Sequence, residues 1–150
     1  MIINQLSVFV ENQPGKLAEV LGVLHTHEIN IRAMSVADTA DFGILRIVVN
    51  ESEKVQHILR GAGFTVKITP VVGIILSDQP GSLFEHVSKL SSAGVNIEYI
   101  YAFAANSGDK HARVVLKVDN LTLAERLISG ECEATEPYRD DACATPNFYW

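Results

Sequence analysis

Basic residues are scarce in this chain, with 12 Lys and Arg against 18 Asp and Glu and a formal net charge of −6. They form no run. A nucleic-acid partner selects for a basic stripe or patch, so that class is excluded. Long hydrophobic runs are missing as well: nothing approaches the ~18 apolar residues of a membrane span. The opening MIINQLSVFV lacks the basic start and cleavage site of a secretory signal. The expectation is a soluble cytoplasmic protein with no membrane partner. Cysteine is limited to Cys132 and Cys143. Two thiols in a cytoplasmic chain are expected to stay reduced and play no chemical part.

Convergent chemistry is also lacking. His25 and His27 stand two apart on a helix and point away from each other, and His57, His86 and His111 have no histidine counterparts in the repeat described below. No metal site is expected. No nucleophile, base and orienting group occur together, and there is no glycine-rich phosphate loop. The expectation is a non-enzyme with no catalytic residues and no cofactor.

What the chain does have is a repetition. Residues 12–15 read NQPG and residues 78–81 read DQPG, so Gly15 and Gly81 are 66 positions apart (81 − 15). Leu17 and Leu83, Glu19 and Glu85, Leu24 and Leu90, Asn30 and Asn96, and Ile31 and Ile97 keep the same spacing. A period of that length is a whole small domain rather than a solenoid unit. The domains are expected at 1–69 and 70–136, with a tail at 137–150. At 47% hydrophobic residues the chain can form cores, although domains this small are marginal alone.

Hydrophobic periodicity sets the element order. In the first copy, strands are expected at 2–10, 29–37, 44–49 and 64–69, with helices at 15–27 and 52–61. In the second, strands are expected at 71–76, 95–104, 112–118 and 132–136, with helices at 80–93 and 121–129. The 80–93 helix is expected to turn Leu83, Phe84, Val87 and Leu90 inward. The order β-α-β-β-α-β is the split βαβ arrangement. The fold class is therefore α+β, with two ferredoxin-like domains in tandem, antiparallel sheets and helices on one face. Strands 44–49 and 71–76 are apolar on both faces, whereas a sheet with one wet face alternates. A second chain is the expected cover, making a homodimer.

The stretches VENQPGKLAEVLGVLHTHEINI (10–31) and LSDQPGSLFEHVSKLSSAGVNI (76–97), each set in a split βαβ domain, resemble the ACT domain. They are similar to the regulatory end of phosphoglycerate dehydrogenase and to the small subunit of acetohydroxyacid synthase. The resemblance implies that a free amino acid lodges where two ACT domains meet, near the loop between first strand and first helix. It also implies that the loop residue and the second-strand asparagine come from facing domains.

The residues suit that role chemically. N–H groups at a helix N-terminus suit a carboxylate. Gly15 and Gly81 let the backbone approach closely. Asn12, Asp78, Asn30 and Asn96 offer oxygens for an ammonium. Asp78 carries a charge that Asn12 does not, so the two sites are expected to be unequal, with Asp78 the stronger partner.

A plainer account stays open: Asn12 and Asp78 are favoured turn residues before a helix, and Asn30 and Asn96 simply end loops. Tyr99, Tyr101 and Phe103 suit strand packing or the wall of a pocket. The function expected is a sensor signalling to a partner enzyme. The alternatives are a subunit held permanently on a biosynthetic enzyme and a ligand-free dimerisation module.

Overall fold

A computed structural model of the protein describes residues 1–38, 42–103 and 111–130. Its elements are β1 (Ile2–Glu11), α1 (Lys16–Thr26), β2 (Ala33–Asp38), β3 (Phe42–Val48), α2 (Ser52–Gly61), β4 (Thr65–Ser77), α3 (Ser82–Ser92), β5 (Ile97–Phe103), β6 (His111–Val118) and α4 (Leu121–Ser129). The chain forms two compact units. Among the described residues, the first holds Asn4–Pro70 and the second holds Met1–Ile3 together with Val71 to Gly130.

In the first unit the strand order is β2-β3-β1-β4. Period-2 alternation along β1 sends Leu6, Val8 and Val10 to one face. There they meet Leu45 and Ile47 of β3, Val20 and Leu24 of α1, and Val55 and Leu59 of α2 in one core. Both helices therefore lie on the same face of the sheet. The opposite face carries Gln5, Ser7 and Phe9 across from Val48, Arg46 and Ile44.

The second unit repeats this plan. Val72, Ile74 and Leu76 of β4 join Val114, Leu116 and Val118 of β6, Leu90 of α3 and Ala124 of α4. The strand order is β4-β6-β5. On the other side of β4, where a ferredoxin-like domain keeps its fourth strand, lie Met1–Ile3. The Gly73 N–H donates to the Met1 carbonyl at 2.8 Å, and the Met1 amino group donates to the Gly73 carbonyl at 3.3 Å. The Ile2 N–H donates to Glu125 Oε1 at 3.3 Å. Burial lowers the pKa of the Met1 amino group, while the Glu125 charge opposes the shift. Residues 132–136, expected to form this strand, lie outside the described residues. The unit boundary falls inside β4 at Pro70, which has no N–H to give to a ladder. The architecture is α+β: ferredoxin-like domains in tandem.

Two expectations need correction. Residues 29–32 are not strand, because helix exit uses them: the Ile29 N–H reaches back to the Leu24 carbonyl at 2.9 Å. Leu83 and Phe84 do not face inward, being 41% and 73% exposed. Side chains of a helix tilt toward its N-terminus, so those of the first turn lean away from the turns that pack on the sheet.

Candidate functional site

The two Pro-Gly loops are the same structure made twice. In the first, the Gln13 N–H donates to the Glu11 carbonyl at 2.9 Å, a tight turn around Asn12. The Lys16 N–H then donates to the Gln13 carbonyl at 3.3 Å, with Gly15 at φ 89, ψ −18. Gln13-Pro14-Gly15-Lys16 is thus a type II turn, with Pro pre-setting its first central position and Gly supplying positive φ at the second. In the second loop the matching bonds are 2.8 Å (Gln79 N–H to Ser77) and 3.3 Å (Ser82 N–H to Gln79), and Gly81 sits at φ 94, ψ −20.

Pro14 therefore precedes the helix, and Gly15 and Gly81 hold the N-cap positions. Neither helix receives a side-chain capping bond. A helix start without a capping side chain presents donors outward. A Cβ built on Gly15 or Gly81 would meet no atom within 4 Å, so both loops are open on that side.

Asn12, Asp78, Asn30 and Asn96 are all exposed. Among the described residues, no hydrogen bond engages any of these four side chains. The backbone of Asn96 is pinned instead: its N–H donates to Asp119 Oδ1 at 3.0 Å, and its carbonyl accepts from the Asp119 N–H at 3.1 Å. Periodicity did not mark Asp119 for this role. Asn50 and Asn120, each just ahead of the second helix of its unit, also do different work. Asn120 caps α4 by accepting from the Leu123 N–H at 3.1 Å, whereas Asn50 accepts from Arg32 Nε at 3.2 Å.

Strand register shows which residues one unit brings together. Glu11, just before Asn12, lies across from Phe42. Ala33, which follows Asn30 by three, lies across from Val48, and Val48 across from Gln5. The Pro-Gly loop and the asparagine therefore sit at opposite ends of their sheet. They are joined by an 11-residue helix about 16 Å long. The second unit is alike: Ser77 lies across from His111, and Ile97 across from Val118. In each unit the loop and the asparagine are therefore apart and do not line one common pocket. An open depression of about 590 Å³ lies along His25–Ile29, just before Asn30. Among the described residues, no three His, Cys, Asp or Glu side chains converge as a metal site, and no helix is long and apolar enough to cross a membrane.

Doubled split βαβ units, each with the same Pro-Gly loop ahead of its first helix, define the tandem ferredoxin-like class. The chain matches the family model described as an ACT domain pair over residues 1–132 and belongs to that family. A crystal structure of a protein from Bacteroides thetaiotaomicron is similar at 40% identity and TM-score 0.82, covering 88% of this chain and 90% of that one. The ligand-free regulatory subunit of aspartate kinase from Thermus thermophilus shares the fold at TM-score 0.64 and 18% identity, covering 89% and 93%. Its counterpart from Thermus flavus does so at TM-score 0.62 and 17% identity, covering 91% and 96%. No curated protein matches the chain.

Proposed function

We propose that this ACT domain pair is a non-catalytic cytoplasmic sensor that binds a free amino acid and signals its presence to a partner enzyme. One observation carries the reading. At both loops an uncapped helix start lies beside an exposed, unengaged polar side chain, Asn12 or Asp78. The helix N–H groups suit a carboxylate, and the side-chain oxygens suit an ammonium.

Because Asn30 and Asn96 stand at the far ends of their sheets, a second ACT domain must supply them. An edge strand β2 running antiparallel beside its copy in another chain would bring Asn30 of that chain to the Asn12–Gly15 end. This favours a homodimer. Antiparallel strand addition satisfies the bare edge groups of both partners. The similarity to proteins described as regulatory subunits of aspartate kinase favours an amino-acid biosynthetic enzyme as the receiver. An effector that binds one arrangement of domains more tightly shifts the population toward it.

The test is thermal unfolding against each of the twenty amino acids at millimolar concentration. A ligand at about 100 times its Kd adds about 2.7 kcal/mol of stability. One amino acid should raise the midpoint, and Asn96→Ala should abolish the rise. A flat panel with the isolated protein and with its co-purified enzyme would reject the sensor in favour of a structural module.

A further inference from the structure

The first unit's own sheet ends in two edge strands, β2 and the Thr65–Pro70 stretch of β4. An edge strand turns unpaired N–H and C=O groups outward and so offers a template to another chain. The two edges differ. Gln56 Nε2, on α2, donates to the Val66 carbonyl of β4 at 3.2 Å. Arg60 of the same helix donates to that oxygen through Nε at 3.2 Å and Nη2 at 2.9 Å. A carbonyl has two lone pairs, so these donors leave nothing for an incoming strand. Pro70, which closes the stretch, has no N–H to offer.

β2 is bare by comparison. Ala33–Ala37 contains no charged residue and no proline, and its register with β3 is unbroken. Met34 and Val36 are 43% and 54% exposed. Among the described residues, no side chain bonds the backbone of this stretch. The second unit protects its outer strand as β4 is protected in the first. Met1 exchanges both backbone bonds with Gly73, so antiparallel alternation points the Ile2 N–H away from β4. It donates there to Glu125 Oε1 of α4 at 3.3 Å, and α4 is the second helix of its unit as α2 is of the first.

We propose that Gln56, Arg60 and Glu125 are edge guards. By occupying backbone groups of the outer strand of each unit, they direct strand addition by a second copy of this chain to β2. Donors from α2 take a strand carbonyl, and a carboxylate from α4 takes a strand N–H, so each helix answers the group that its strand leaves over. The inference builds on the pairing at β2 given above and names the residues that select it. Asn30 stands three residues ahead of Ala33, the first residue of β2. Pairing at β2 carries it to a facing Pro-Gly loop, whereas addition at a guarded edge would assemble chains and leave that site incomplete. The guards thus decide which contact between copies also builds a binding site.

Molar mass in solution, measured by light scattering over a concentration series of the full chain, reads the guards. No amino acid is added, so the outcome stands apart from that of the ligand panel. The wild type should be a dimer throughout. Gln56→Ala with Arg60→Ala should keep the circular dichroism of a folded chain and assemble beyond the dimer, its mass at least doubling as concentration rises. Glu125→Ala, a single substitution at the other guarded edge, should do the same, while Arg60→Lys with Gln56 intact should stay dimeric. Val36→Lys, which sets a charge on the open edge, should give a monomer. The inference is overturned if both guard variants remain dimeric at every concentration. It is overturned equally if Val36→Lys leaves the dimer intact, or if the wild type is a monomer or already assembles beyond the dimer.

Discussion

Glu28 and Gly94 occupy the same left-handed position at the ends of α1 and α3, 66 residues apart (94 − 28), with φ 54 and φ 74. Each precedes an apolar residue whose N–H reaches back five positions, Ile29 to Leu24 at 2.9 Å and Val95 to Leu90 at 3.0 Å. That is the Schellman closure. Phe64 to Leu59 at 3.0 Å, after Gly63 at φ 92, is a third example. Glu28 alone among the three carries a Cβ into this region. Glu28→Gly should raise stability by about 1 kcal/mol. The urea midpoint should move up with an unchanged slope, and a lower midpoint would contradict the strain.

Gly15 and Gly81 are required by backbone angle and not by crowding, since both have positive φ and open space where a Cβ would stand. Gly15→Ala and Gly81→Ala should each cost about 1–2 kcal/mol in denaturant unfolding. A D-alanine placed by semisynthesis, which accepts positive φ, should cost far less. Equal losses for both enantiomers would show that something other than φ selects the glycine.

Core and surface are set apart by two side chains of the second unit. Leu116 is 0% exposed and Phe84 is 73% exposed. Leu116→Ala should cost about 2–5 kcal/mol through lost burial and a cavity, while Phe84→Ala should stay within about 0.5 kcal/mol. A large loss at Phe84 in the ligand-free protein would restore the inward orientation that helical spacing suggests.

The Met1 amino group has its pKa lowered from 8.0 by burial, with Glu125 opposing. The unfolded chain holds this proton to higher pH than the folded one. Stability should therefore rise with pH through the window between the lowered pKa and 8.0. Thermal midpoints from about pH 6 to about pH 9 should show this rise. N-α-acetylation should remove it and Glu125→Gln should enlarge it. Identical profiles with and without the acetyl group would refute the assignment.

Much of this protein was legible along the chain. The spacing of Leu17, Leu24, Asn30 and Ile31 against Leu83, Leu90, Asn96 and Ile97 marked two copies. Alternation along 2–10 and helical periodicity over 52–61 marked elements, because side-chain period and backbone geometry are the same fact seen twice. QPG marked its turn, because only glycine takes positive φ without strain. Pattern did not disclose that Met1–Ile3 belong to the second unit, since strand partners are chosen by pairing across long loops and not by local preference. Nor did it disclose that Asn12 and Asn30 stand at opposite ends of one sheet, because antiparallel register alone places them there. The identities of Asn12, Gly15 and Asn30 were set by the sequence, and their separation was decided by the tertiary structure, because a helix must cross the full length of the sheet between them.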